Sequence, residues 1–310
     1  MINDRVAPIR GMSVKDRPWE GSLPRKPWEY PVTCAIAHRD TPEMLAGVVS
    51  LFRAQTIRPY FVIVDTGSDF DSSPTLATLD ANDDCEVHYL RAKAWRGSSC
   101  PVAAAMDLAF AVCQTEFLIS THTDVFLTRP DLVEHLLSLC DARTPVVGWQ
   151  MSPRVEWPDD SWKNTPSHTA SIYHMPSMRS LGASWNMLRA FDALHRPHGQ
   201  TTGGYPDTET TLGLILEDHD ITPRWEHEPD DGGRHWLCLG SEPNEPYETP
   251  WFHHIRSTGS VKIYWPNTLI AVLRDHQVNQ ELAAIPDRIE AWKQNQTGRS
   301  SIKTQEFSTG

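Results

Sequence analysis

Five short, mostly apolar runs, separated by stretches of helical period, constrain this chain more than any other feature. Val32 to Ala37, Phe61 to Val64, Val87 to Leu90, Phe117 to Ser120 and Pro145 to Gly148 are each four to six residues long. Runs of that length, bounded by turn residues, are strands rather than helices. Between the first two, Leu45, Val48, Val49 and Phe52 recur at the i, i+3, i+4, i+7 spacing of one helical face. Thr41-Pro42 opens that segment as a cap followed by proline at the first helical position. Leu76 and Leu79 mark a short helix, and Pro101 to Val112 is Ala-rich and helical. Asp131 to Cys140 puts Leu132, Val133, Leu136 and Leu137 on one side of another helix. Strands alternating with helices of this kind predict βαβ units and a mainly parallel sheet. Unbroken rather than alternating apolar strands predict helices on both faces. In such a sheet ligands bind beyond the carboxyl ends of the strands, so the polar residues there are the first to consider.

The rhythm divides the chain. Residues 1–31 read as an irregular N-terminal extension, 32–148 as an α/β half, 149–275 as a second half and 276–310 as a C-terminal helix and polar tail. Residues 149–200 are rich in Trp, Pro, His, Ser and Met with weak periodicity, and read as an insertion suited to recognition. Residues 208–217 regain a helical pattern, 222–250 read as loop, and 278–294 as a last helix.

Composition narrows the function classes. The net charge of -12 argues against nucleic acid, which needs clustered Lys and Arg. No stretch approaches the roughly 18 apolar residues of a membrane span. The first 31 residues lack the apolar core of a secretory signal. The six cysteines are scattered without a CxxC pair, which fits a cytoplasmic, reducing setting. Twelve tryptophans are many for 310 residues, and serve either core packing or stacking against flat ligands.

Four clusters carry candidate chemistry. His122-Thr123-Asp124 follows the fourth run; in an extended segment positions i and i+2 share a side, so imidazole and carboxylate would form half a divalent-cation shell. The competing reading is a turn whose Asp caps the helix after Pro130. Asp65-Thr66-Gly67-Ser68-Asp69 ends the second run and suits either contact with a base or ribose, or an Asx turn. Gly203-Gly204-Tyr205-Pro206-Asp207-Thr208-Glu209 places two acids at a helix start, as a general base or as partners of the helix dipole. His253-His254 with Arg256, Ser257, Thr258, Gly259 and Ser260 could complete a metal shell and hold a diphosphate, with His235 as a competing ligand.

Taken in order, these clusters resemble the GT-A glycosyltransferases, family-2 type, over roughly residues 32–260. Leu51 to Thr56 is similar to the family's SLxxQT helix end. Val64-Asp65-Thr66-Gly67-Ser68 resembles its V-D-D-G-S turn, with Thr66 for the second Asp. His122-Thr123-Asp124 occupies the DxD slot, with His for the first Asp. The resemblance implies an α/β GT-A fold with a Trp-rich insertion. It implies donor contacts from Ala37, His38, Arg39, Asp65, Gly67, Asp107, Thr123 and Arg256. It implies a metal held by His122, Asp124 and His254, with His253 as alternative; the imidazole shifts the preference from Mg2+ toward Mn2+. Glu209 is then the catalytic base, with Asp207 as fallback. The expected activity is metal-dependent transfer of a sugar from a nucleotide-diphosphate donor to a glycan or other hydroxyl acceptor, with inversion. Its rivals are a nucleotidyltransferase on a similar sheet and an inactive glycan- or nucleotide-binding scaffold. Oligomeric state is left open.

Overall fold

The structure, a computed structural model, describes residues 26–68, 72–90, 99–127, 129–149, 165–195, 197, 206–226, 247–248 and 252–254. The expected final helix, most of the N-terminal extension, Gly203-Gly204, His235 and Arg256 lie outside them. The strands are β1 (Val32–His38), β2 (Tyr60–Asp65), β3 (Cys85–Tyr89), β4 (Phe117–His122), β5 (Val125–Leu127), β6 (Val146–Gly148), β7 (Ser171–His174), β8 (Arg224–Trp225), β9 (Tyr247–Glu248) and β10 (Phe252–His254). The helices are α1 (Pro42–Arg53), α2 (Ser73–Asp80), α3 (Ser99–Val112), α4 (Leu132–Leu139), α5 (Met175–Ser180), α6 (Leu188–Ala193) and α7 (Thr210–Asp218).

The main sheet has seven strands in the order β3-β2-β1-β4-β7-β6-β8. Strands β3, β2, β1 and β4 run parallel, and β7 alone runs against its neighbours. Both faces are covered, as the unbroken strands require. Cys34, Ile36, Phe61, Ile63 and Ile119 pack against α1, α2 and α4 on one side. Ala35, Val62, Val64, Leu118 and Tyr173 pack against α3, α5 and α7 on the other. This is the mainly parallel, helix-flanked α/β architecture that the resemblance implied.

Two expectations are corrected. Part of the segment read as an insertion supplies β7, which sits between β4 and β6 in the main sheet. Its apolar signal is too short to see: Ile172 and Tyr173 are flanked by Ser171 and His174. A Cβ on Gly148 would lie 2.1 Å from Ser171 Oγ, so only glycine lets β6 approach β7 this closely. Residues 222–250, read as loop, contribute the edge strand β8 and the short β9.

The five described cysteines are buried and free. Burial pushes the thiols of Cys34 and Cys85 well above their ordinary range, as expected for small core hydrophobes. Among the described residues no helix is long and apolar enough to cross a membrane.

Candidate active site

Parallel register brings three strand ends to one edge. His38 pairs with Asp65 across β1 and β2, and Ala37 pairs with His122 across β1 and β4. Adjacent strands lie about 4.8 Å apart, so these side chains are neighbours without any loop having to deliver them.

At the β1–β2 side, His38 Nδ1 lies 2.8 Å from Asp65 Oδ2, both groups buried. Thr41 N–H donates to His38 Nε2 at 3.2 Å. That nitrogen must therefore carry the lone pair, so the proton is on Nδ1, facing Asp65. The other oxygen of Asp65 accepts from the backbone of Gly67 and Ser68 at 3.0 and 3.1 Å, and Ser68 Oγ donates to Oδ2 at 2.6 Å. Burial raises the Asp65 carboxyl, but the hydrogen bonds from His38 and Ser68 outweigh it and hold the group below its ordinary value. Gly67 takes a φ of 92°, the left-handed backbone the turn demands. Asp65 thus forms the Asx-type turn, and its four acceptor sites are occupied within the chain. Ala37 is half-buried, and exposed Arg39 lies 3.7 Å from Asp40.

At β4 the extended reading of His122-Thr123-Asp124 is corrected. His122 is the last strand residue, and Thr123-Asp124 form the turn into β5. Of the competing reading the turn is observed and the cap is not, since the residue that precedes α4 is Asp131. Thr123 and Asp124 are buried. Thr41, expected as a side-chain cap, makes no capping bond; its hydroxyl donates to Thr123 Oγ1 at 3.0 Å, tying the start of α1 to this turn.

One partner of His122 is a residue that sequence reasoning missed. His168 Nε2 lies 2.9 Å from His122 Nδ1, with ring centroids 3.4 Å apart and planes inclined by 50°. The other ring nitrogen, His168 Nδ1, lies 2.5 Å from Glu209 Oε1. Neither Glu209 oxygen has an aligned hydrogen bond among the described residues, and the side chain is fully buried. The His168 contact is therefore close but out of line. Burial, reinforced by the charge of Asp207, raises the Glu209 carboxyl well above its ordinary range. Burial also lowers the His168 imidazole to about 4, against the opposing pull of Asp207 and Asp124.

His168 is delivered by a pinned turn just before β7. Ser167 Oγ donates to Thr169 Oγ1 at 2.8 Å and accepts from Thr169 N–H at 3.2 Å. Ala170 follows at φ 58°, a left-handed backbone that costs a non-glycine residue about 1–2 kcal/mol. Nothing in the spacing of Ser167-His168-Thr169 announces this role. The antiparallel pairing of β7 with β4, Ser120 opposite Ser171, is what swings the turn over the end of β4.

The other expected residues fall out as follows. Asp207 Oδ1 accepts from Ser99 Oγ at 2.9 Å and from Thr208 N–H at 2.8 Å, joining α3 to the start of α7. Asp107 lies on α3; burial raises its carboxyl, which accepts from Ser184 Oγ at 3.0 Å and Trp185 N–H at 2.6 Å. It anchors the 184–185 segment. The late histidines return on β10, whose antiparallel register sets His254 opposite Val125, one residue after Asp124.

Among the described residues no three His, Cys, Asp or Glu side chains are grouped as a metal site. The His122 ring is packed on His168, and Thr123-Asp124 form a turn rather than an extended segment.

No protein-family model and no curated protein matches the sequence. Solved structures do. S. aureus TarS, residues 1–349, superposes with 8% identity over 82% of this chain and 69% of its own, at a TM-score of 0.46. The same TarS fragment in complex with UDP-GlcNAc gives 10% identity, 83% and 71% coverage and a TM-score of 0.42. The mannosyltransferase PcManGT from Pyrobaculum calidifontis, in complex with GDP-Man and Mn2+, gives 14% identity, 70% and 62% coverage and a TM-score of 0.41. Scores at this level leave the chemistry to be read from the residues themselves.

Proposed function

We propose that this chain is a glycosyltransferase of the GT-A type, moving a sugar from a nucleotide-diphosphate donor to a hydroxyl acceptor with inversion. One observation carries the reading. Residues as far apart as His38, Asp65, His122, His168 and Glu209 meet along one edge where parallel strands end, the place at which such sheets bind ligands. The acidic turn, the altered DxD position and the carboxylate at a helix start are the parts that the resemblance assigned to donor and base.

In this reading the β2-end turn, ordered by Asp65, presents the backbone of Gly67 and Ser68 and the side chain of Arg39 toward the donor. Glu209 supplies the basic end of the site; a carboxylate in a desolvated position is a stronger base than one in water. Most of the rate enhancement comes from positioning acceptor and donor and from fixed dipoles around the leaving diphosphate.

The test is a thermal-shift and donor-cleavage panel on the full chain, using UDP-GlcNAc and GDP-mannose with Mn2+, with Mg2+ and with chelator. A sugar nucleotide that raises the melting point and is cleaved, while the matching nucleoside triphosphate does neither, supports transfer of sugar. Turnover of triphosphates would assign a nucleotidyltransferase. Glycan binding without donor affinity would assign a scaffold. The metal arms show whether a cation takes part.

A further inference from the structure

A surface cavity of about 490 Å³ lies between α6 and α7, lined by residues from both helices and from the segment before α6. It is separate from the Glu209 contact. Thr211, on its wall, stands two residues beyond Glu209, and successive helical residues turn by about 100°, so the two face opposite sides of the start of α7. Its lining joins two kinds of surface: Leu188 and Ile215 are apolar, while Ser184, Asn186, Arg189 and Thr211 carry polar groups. Leu188 is 49% exposed, one of two large apolar side chains left open among the described residues. A cavity of this size, with a few polar groups converging beside an apolar face, has the make-up of a small-molecule site.

The polar wall is fixed in advance. Asp107 on α3 accepts from Ser184 Oγ at 3.0 Å and Trp185 N–H at 2.6 Å. Ser184 Oγ accepts from Asn186 N–H at 2.9 Å, and Thr211 Oγ1 donates to the Asn186 carbonyl at 2.8 Å. The segment 184–186 is thereby tied to α3 on one side and to α7 on the other. Asn186 Oδ1 accepts from Leu188 N–H at 3.0 Å, which orients the side-chain amide. Its NH2 group keeps two donors without a partner among the described residues. The Arg189 guanidinium reaches Asp218 through one Nη, and its other nitrogens stand beside the amide. Asp218 and Asp192 offset the charge of Arg189, so the cavity has no net positive charge with which to hold an anion. Donors held in place before binding lose little freedom when a ligand arrives.

We infer that this cavity is a second site, separate from the candidate active site, and that it binds an uncharged glycan. The Asn186 amide and the Arg189 guanidinium donate to hydroxyl oxygens at the rim of a sugar ring. Leu188 and Ile215 cover one of its C–H faces. Donors beside an apolar wall, with charges balanced, match a ring that is polar at its edge and apolar on its face. The inference goes beyond the glycosyl-transfer reading and does not depend on it.

The test is a titration of the full chain with mannotriose, chitotriose and maltotriose, followed by side-chain amide 15N–1H signals. The Asn186 pair is assigned by its loss in Asn186→Asp. At least one trisaccharide is expected to move that pair saturably, and inorganic phosphate is not. Asn186→Asp keeps the oxygen that accepts from Leu188 N–H and removes the donors, so it should weaken binding about tenfold. Leu188→Gln changes an exposed side chain, so the fold should tolerate it, and it should weaken binding about threefold. That variant decides the matter even if Asn186→Asp fails to fold. Trisaccharides that leave the Asn186 pair unmoved, or that bind Leu188→Gln as tightly as the wild type, would overturn the inference. Phosphate moving the pair at lower concentration than any trisaccharide would replace it with an anion site. Cleavage of UDP-GlcNAc and GDP-mannose is expected to be unchanged in Leu188→Gln. A wild type that cleaves neither donor would fell the glycosyl-transfer reading for these sugars, while the titration would still decide the cavity.

Discussion

Two histidine–carboxylate pairs sit along the same sheet edge, and they are electrostatic opposites. At the β1–β2 side, Asp65 accepts four hydrogen bonds, and its carboxyl is held below the ordinary range. At the β4–α7 side, Glu209 has no aligned hydrogen bond among the described residues, and its carboxyl is held well above that range. Burial acts on both groups in the same direction. The difference is the number of donors aimed at the anion, so the first pair is a structural clasp and, in the function proposed above, the second is the reactive one. Residue type does not separate them; the surrounding N–H and O–H groups do.

Removing each carboxylate should break this symmetry most visibly. Asp65→Ala would strand the His38 Nδ1–H and the two backbone donors, and should cost about 3–5 kcal/mol by denaturant midpoint, the range for breaking a buried pair. Glu209→Gln replaces a buried carboxyl that lacks aligned donors, and should leave stability unchanged or raised. A large loss in Glu209→Gln together with a small one in Asp65→Ala would reverse the assignment of clasp and reactive pair.

The next effect is a pH dependence. Between the ordinary values of 4.5 for a Glu carboxyl and 6.5 for imidazole, the unfolded chain carries one proton on His168 and the folded chain carries it on Glu209. The proton counts are equal, so the pair contributes no slope of stability with pH in that window. In Glu209→Gln only the depressed His168 remains, and its contribution, complete above 6.5, is lost as pH falls toward about 4. Stability of that variant should therefore rise with pH across the window. In His168→Gln only the raised Glu209 remains, and its contribution, complete below 4.5, is lost as pH rises toward its folded value. That variant should slope the other way. Each slope is bounded by one proton, about 1.4 kcal/mol per pH unit. Urea midpoints over this range measure both, and two variants that slope alike would contradict the shared-proton account.

The smallest expected effect sharpens how the two sides communicate. Thr41 ties α1 to the Thr123-Asp124 turn through a single buried hydroxyl pair at 3.0 Å. Thr41→Val should cost about 1 kcal/mol, the worth of one such bond, and should alter donor affinity without changing the ring 15N–1H signals of His122. A change in those signals would show that the clasp and the reactive pair are not independent.

Much of the fold was legible in the sequence because burial writes itself into composition. Unbroken runs such as Phe61 to Val64 and the spaced face of Leu45, Val48, Val49 and Phe52 can do little but form a covered strand and the helix covering it. Strand β7 escaped because Ile172-Tyr173 is too short to show a period, and because its place depends on β4 and β6 already being there. At the site, the sequence singled out Asp65, His122, Asp124 and Glu209, each lying at a strand end or a helix start where turn chemistry and polar residues coincide. It was silent on His168, which joins two of them from 46 residues beyond His122.

The sequence by itself determined the layer order, the strand ends and which polar side chains would stand there, since period and chain direction are local properties. Only the tertiary structure decided what those side chains are. Whether a carboxylate is a clasp or a proton acceptor depends on how many donors converge on it, and those donors come from residues distant along the chain. The turn at Thr123-Asp124, the ring of His168 and the sealed position of Glu209 all follow from packing. That packing sets a turn where an extended segment was expected, and places His168 between His122 and Glu209.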